Sequence, residues 1–318
     1  MVSPAPHGAS GQRGRQYRYH RELFPALHDW ERTERSIVAF TGGEGPEGLL
    51  GLDQMGHFGP HGCDLVADAV AEAVAGGVAG GPGGRVARGA AAPGAVRGGP
   101  LVLCELGSGF GGALRYTVDR LAARGIGVRG AYGIDLVAEH CAVSRRISRA
   151  QGRTAVAEIC ASATAVPLRD ASLDLVVVTG SMPHFPDPAA VVREAARLLR
   201  PGGLFVLTEE VSLTPGAEGP SAPFRAVHPP DVFFTTPVRE RLDQLARAGF
   251  TGVRRRGLTE WAAALLAERL KVLRIFRGSV AGIYGDASAE LIRSTLTTAR
   301  DEYLAGRLLP TLFTARRA

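Results

Sequence analysis

Hydrophobic and polar positions follow two rhythms along this chain, and from residue 101 onward the rhythms alternate. Short apolar runs bounded by turn residues predict strands at 101–103, 127–134, 155–160, 173–179, 204–208, 252–256 and 310–315. Apolar residues at helical spacing fill the gaps: Leu114, Val118 and Leu121 within 113–124, with further helices over 137–150, 188–199 and 239–248. Residues 260–307 read as mostly helical. Strand and helix in alternation argue for a parallel sheet with helices on both faces. Leu173–Thr179 is almost pure Leu and Val, as a strand covered on both sides should be. The expected fold is α/β and Rossmann-like, with a seven-stranded, mostly parallel sheet.

Ahead of residue 100 the pattern differs. Residues 1–15, rich in Pro, Gly, Ser and Arg, read as a disordered tail. Residues 16–75 read as an N-terminal helical lid. It has one amphipathic helix over 16–35, a turn-rich stretch over 41–62 and a helix over 63–74. Residues 76–99 are nearly all Gly, Ala, Pro, Val and Arg, a flexible linker to the main domain, 100–318. Within that domain, the Pro- and Ser-rich 211–238 is an insertion placed to cover a pocket.

The first strand leads through Glu105 into a glycine-rich turn and a helix, the opening unit of a nucleotide-binding domain. Gly107, Gly109 and Gly112 fit the dinucleotide spacing G-x-G-x-x-G, a weak signal alone. Gly107, Gly109 and Gly111 fit the G-x-G-x-G loop of S-adenosylmethionine (SAM) enzymes equally well. Glu105 separates the two. Its carboxylate would repel a pyrophosphate but attract the ammonium and sulfonium of SAM. Asp135, ending the second strand, is placed to hold a ribose hydroxyl pair.

Net charge is +6, but arginine supplies nearly all of it, and Lys271 is the only lysine. The arginines are dispersed, apart from Arg254-Arg255-Arg256, and aromatic content is 6%, so no basic stripe with stacking aromatics marks a nucleic-acid surface. No apolar run approaches the ~20 residues that span a bilayer, and no secretory leader is visible, so a cytoplasmic location is expected. Cys63, Cys104, Cys141 and Cys160 lack disulfide or metal spacing and read as reduced, with Cys104 and Cys160 buried in strands.

From Leu101 to Glu210 the chain resembles class I SAM-dependent methyltransferases, in particular the group containing sarcosine/dimethylglycine, tocopherol and bacterial natural-product methyltransferases. Glu105 to Gly112 is similar to their first motif and Gly133-Ile134-Asp135-Leu136 to their second. Ser172 to Val178 resembles their fourth strand, and Leu199 to Leu207 their fifth. Asp53 to Gly59 resembles a degraded form of their N-terminal Asp-Gln-x-His-x-Gly-Gly element. The resemblance implies a SAM site built from Glu105, Gly107, Ser108, Gly109, Gly111, Asp135, Leu136, Ser162, Ala163 and Ser181. Where the family has Gly-Asp-Ala after strand three, this chain has Ala161-Ser162-Ala163, so Ser162 or backbone must take the Asp's part toward adenine.

Methyl transfer is an in-line displacement, in which alignment supplies much of the rate and a hydroxyl acceptor gains from a base. His184, just past the fourth strand, and His57, from the lid, are the candidate bases. His57 and His61 are four apart, but the glycines and Pro60 between them argue against a helical metal pair, and none is expected. Tyr17, Tyr19 and Gln54 from the lid, Glu209 after the fifth strand, and Arg225 and His228 from the insertion are candidates for contacting the acceptor. The expected activity is methylation of O, N or C on a small molecule in bacterial secondary metabolism, by a monomer or homodimer and without a nucleic-acid or membrane partner. A prenyl-diphosphate C-methyltransferase and a SAM-fold cyclase are the alternatives.

Overall fold

The computed structural model describes residues 11–42, 49, 51–76, 99–213 and 219–318. Residues 1–10, most of the expected tail, and 77–98, most of the expected linker, lie outside the described residues, as do 214–218 of the insertion. The sheet has the order β3-β2-β1-β4-β5-β8-β7. Its strands are β1 Leu101–Leu106, β2 Val128–Asp135, β3 Val156–Cys160, β4 Leu173–Thr179, β5 Leu199–Ser212, β7 Phe250–Gly257 and β8 Leu309–Arg317; β6, Thr236–Pro237, pairs only with β5. Strands β1 to β5 run parallel, whereas β8 lies antiparallel between β5 and β7. Strand order therefore reverses between β1 and β4, which opens a crevice at their carboxyl ends.

Two-residue periodicity sorts the strand side chains into two cores. Val102, Cys104, Leu106, Val176, Val178, Phe205 and Leu207 face helices α6 (Pro188–Leu198) and α8 (Val238–Arg247). Leu101, Leu103, Leu175, Val177, Leu204 and Val206 face α3 (Pro60–Gly76) and α4 (Gly112–Ala122). With both faces covered, polar chemistry is confined to the strand ends.

A cap sits over those ends. The expected single helix over 16–35 is two, α1 (Gln12–Leu23) and α2 (Trp30–Thr41), separated by a 3-10 turn at Pro25–His28. Pro25 has no N–H to continue the first helix. Helix α1 also begins inside the expected tail. Leu27, Trp30 and Ile37 pack on Val143 and Ile147 of α5 (Ala138–Ala150) and on Val280 and Ile283 of α10 (Arg277–Tyr284). Phe224 of α7 (Ala222–Val227) packs with α9 (Thr259–Ile275) and α11 (Asp286–Leu304). The helical 260–307 stretch thus completes the cap that α1 and α2 begin. No helix among the described residues is long and apolar enough to cross a membrane. Of the cysteines, Cys63, Cys104 and Cys141 are buried but Cys160 is exposed, because it ends the edge strand β3.

Strand β5 differs most from expectation. It spans 14 residues, not five: Leu199 already pairs with Leu173 of β4, and β8 pairs with the strand from Leu204 as far as Val211. The added length fixes which way Glu209 and Glu210 face. Glu209 forms a two-pronged ion pair with Arg241 of α8, at 2.6 and 2.9 Å, with both side chains 1% exposed. Breaking such a pair strands a buried charge. Arg241→Leu should cost about 3–5 kcal/mol in urea unfolding, and adding Glu209→Leu should recover most of it.

Candidate active site

The carboxyl ends of β1, β2, β4 and β5 and the cap enclose a cavity of about 550 Å³, within the range of small-molecule sites. At one end lies the glycine loop. Gly107 has φ of 77°, and a Cβ there would meet Ser181 at 2.6 Å. Gly109 has φ of 55°, and its Cβ would press on the Met55 sulfur at 2.9 Å. Both positions require glycine and open backbone to the cavity. Gly111 instead faces inward, where a Cβ would sit 2.0 Å from the Ser144 hydroxyl; it is a packing glycine and does not line the cavity.

Asp135 ends β2 with its carboxylate oriented by protein donors. Its Oδ2 accepts from the Gly109 N–H at 2.8 Å, and its Oδ1 from the Val137 N–H at 2.9 Å, with His140 Nδ1 at 3.2 Å. Burial pushes this carboxyl up, but the His140 and backbone bonds outweigh burial and hold it below the usual range. Oδ2 keeps a lone pair for a ligand. Ser162 and Ala163 follow β3 along the same wall, and the Ser162 and Thr164 hydroxyls are 2.8 Å apart. Ser181 donates its hydroxyl proton to the Leu106 carbonyl at 2.6 Å, tying the β4 turn to β1.

Glu105 is 2% exposed, and its Oε2 has no hydrogen-bond partner. No arginine, lysine or histidine pairs with it among the described residues. Burial pushes its pKa up to about 8, only partly offset by the nearby Thr179 and Ser108 hydroxyls. A buried carboxyl without a cation is costly to ionise. The site is built for a positive group that the protein does not itself supply.

The opposite end holds histidines and one carboxylate. His57 Nδ1 lies 3.0 Å from Glu210 Oε1, and the Tyr303 hydroxyl donates to the same oxygen at 2.8 Å. Burial raises Glu210, but the bonds from His57 and Tyr303 outweigh it and keep the carboxyl below its usual range, so it is ionised at neutral pH. His57 Nε2 has no partner among the described residues, so the ring can act on a ligand through that nitrogen. His184 Nδ1 is 3.2 Å from the Val232 carbonyl, and burial lowers its pKa to about 4. His20, 4.7 Å ring to ring from His184, falls to about 3, mainly through burial. These two rings are neutral at pH 7.

Of the residues expected here from sequence, Glu105, Gly107, Ser108, Gly109, Asp135, Leu136, Ser162, Ala163, Ser181, Gln54, His57 and His184 line the cavity. Tyr17 and Tyr19 do not. Tyr17 donates to Glu139 at 2.6 Å, and Tyr19 reaches the Val227 carbonyl at 3.3 Å. The face of α1 that meets the cavity carries Gln12, Gln16, His20 and Leu23, a stripe at helical spacing whose polar members drew no attention in the sequence. Glu209 is committed to Arg241, and its neighbour Glu210 takes the cavity position. Arg225 is exposed and bonds the Pro220 carbonyl; His228 stacks behind the site on Phe224, 5.5 Å from His57. Tyr303 carried no sequence signal, since it arrives from α11. Among the described residues, no group of three or more His, Cys, Asp or Glu could hold a metal.

Against known proteins, residues 104–207, about a third of the chain, match the methyltransferase domain family. The chain is 30% identical over 116 residues to sarcosine/dimethylglycine N-methyltransferase of Halorhodospira halochloris, covering 36% of this chain and 39% of that one. It spans about two-fifths of the curated relatives it matches. Among solved structures, the [4+2]-cyclase SpnF aligns with a TM-score of 0.57 at 19% identity, over 80% of this chain and 81% of that one. A geranyl diphosphate methyltransferase in complex with SAM aligns with a TM-score of 0.57 at 18% identity, over 80% and 85%. At such identities the likeness speaks for the fold alone, an α/β fold around a mostly parallel sheet.

The unpaired Glu105 gives the ligand-free protein a pH signature. Unfolded, its carboxyl titrates near 4.5; folded, near 8. Between those values the unfolded chain has lost a proton that the native state keeps, so this group's contribution to stability falls as pH rises. The buried histidines act in the opposite sense below about pH 6.5. The readout is therefore the difference between wild type and Glu105→Gln in thermal unfolding, which should grow in the variant's favour from pH 5 to 8.

Proposed function

We propose that this protein is a SAM-dependent methyltransferase acting on a small-molecule acceptor. The observation that carries the reading is Glu105, a buried carboxyl without a cation beside a glycine turn. The ammonium and sulfonium of SAM would stabilise the ionised form of this carboxyl and draw its proton off, whereas a dinucleotide's pyrophosphate would hold it protonated and gain no ion pair there. The backbone of Gly107, Ser108 and Gly109 would lie along the methionine portion, Asp135 Oδ2 would accept from a ribose hydroxyl, and Leu136, Ser162 and Ala163 would border the adenine. When bound, SAM supplies an electrophilic methyl group for in-line displacement. Ser181 and the β4 turn would hold the acceptor side of that line.

His57 is the base in this reading. Glu210 orients the ring through Nδ1 and stabilises the charge it gains when Nε2 takes a proton from the acceptor. His184, kept neutral by burial and anchored on Val232, serves to shape the pocket. Resemblance to the natural-product group supports a role in bacterial secondary metabolism. The described lid and insertion elements both close on the cavity, which supports the division into cap and SAM-binding domain.

Calorimetric titration tests the cofactor. SAM and S-adenosylhomocysteine should bind and NADH should not, Asp135→Ala should weaken SAM by about tenfold or more, and SAM uptake at pH 7 should release a proton that Glu105→Gln abolishes. Preferential binding of NADH would return the glycine loop to the dinucleotide reading. Once an acceptor is turned over, S-adenosylhomocysteine should form in step with product, which separates methylation from cyclisation. His57→Gln should then lower kcat by about 10²–10⁴ with little change in KM.

A further inference from the structure

The acceptor end of the cavity contains an ionised carboxylate and nothing to balance an anion. Resting on the methyltransferase reading, we propose that Glu210 is the specificity-determining residue of this end. It excludes acceptors bearing a carboxylate, phosphate or diphosphate and selects an uncharged hydroxyl compound.

No Lys or Arg lines the cavity among the described residues, whereas Asp53, Glu105, Asp135, Asp187 and Glu210 all do. Every guanidinium near the acceptor end is already engaged or turned away. Arg241 is spent on Glu209. Arg269 donates to the Gly56 and His57 carbonyls, and Arg225 is exposed on the Pro220 carbonyl. Two further histidines that line the cavity, His20 and His184, are held neutral by burial. Even with His57 protonated, the His57–Glu210 pair is neutral rather than positive. An anionic acceptor would therefore meet like charge at close range, with no counter-ion to offset its desolvation.

A neutral hydroxyl meets the opposite conditions. Its proton goes to His57 Nε2, its oxygen takes the methyl group as the sulfonium–carbon bond breaks, and S-adenosylhomocysteine leaves as a neutral thioether. The positive charge ends on the imidazolium, 3.0 Å from Glu210. Phe233, with its ring 5.4 Å from His184, offers an apolar face to the acceptor's body.

The test uses the full chain loaded with S-adenosylhomocysteine and three matched probes in equilibrium dialysis at pH 7: 2-naphthol, 2-naphthoate and 2-naphthyl phosphate. Wild type should bind 2-naphthol at least about tenfold more tightly than either anion. Glu210→Gln, which keeps an acceptor for Tyr303, should narrow that gap, with S-adenosylhomocysteine affinity unchanged as the check on folding. Anions that bind wild type as tightly as 2-naphthol would overturn the proposal. So would a gap that survives intact in Glu210→Gln, or failure of all three probes to bind loaded protein. If wild type does not take up S-adenosylhomocysteine at all, it is the methyltransferase reading that fails, and the same titration shows this first.

Discussion

The buried ion pair between Arg115 and Asp53 is the contact on which the rest of the site depends. Arg115 Nη2 lies 2.8 Å from Asp53 Oδ2 and 2.7 Å from the Phe110 carbonyl, while Nη1 reaches the Ser144 and Ser148 hydroxyls at 2.9 and 3.2 Å. One guanidinium therefore joins the glycine loop, α4, α5 and the cap segment that carries Gln54, Met55 and His57. Such a fork suits Arg and would not suit Lys. The glycines follow from it. A Cβ on Gly112 would stand 2.6 Å from Asp53, and one on Gly111 would strike Ser144. Gly107 and Gly109 open space for a ligand, Gly111 lets α5 pack on the loop, and Gly112 lets the cap segment dock. Truncating Arg115 would leave Asp53 as an unpaired buried charge, so this junction has little tolerance.

The sheet and the glycine-loop end of the cavity were legible in the sequence because local pattern determines both. Strand and helix periods report burial directly, and the residues around the glycine loop lie at the ends of consecutive elements, 105–109, 135–136, 162–163 and 181. The acceptor end was less legible for three physical reasons. Strand β5 runs on past Thr208 because β8 pairs with it, and a period of two makes neighbouring Glu209 and Glu210 face opposite ways. The working face of α1 depends on how α1 docks, so the aromatic Tyr17 and Tyr19 drew attention that belonged to Gln16 and His20. Tyr303 meets Glu210 only through tertiary packing. Pro25, by contrast, was a readable break that the amphipathic pattern around it concealed.

The two ends of the cavity use carboxylates in opposite ways. Asp135 and Glu210 are surrounded by donors that keep them ionised, so each is a fixed acceptor with a defined direction. Glu105 has no such support and is poised to change protonation when a cation arrives. Electrostatic complementarity of this kind selects among ligands more than it adds affinity.

The His57–Glu210–Tyr303 cluster also bears on the order in which the protein can become active. Its members are separated by 153 and 93 residues along the chain. By contrast, the groups expected to hold SAM, from Glu105 to Ser181, come from one contiguous stretch. Closing long loops costs entropy before contacts repay it, so the glycine-loop half of the cavity can assemble from a nascent chain well before the half that holds His57, Glu210 and Tyr303. In a chain that emerges from the ribosome, the Glu105–Ser181 stretch is therefore complete first and the His57–Glu210–Tyr303 cluster last, when α11 arrives.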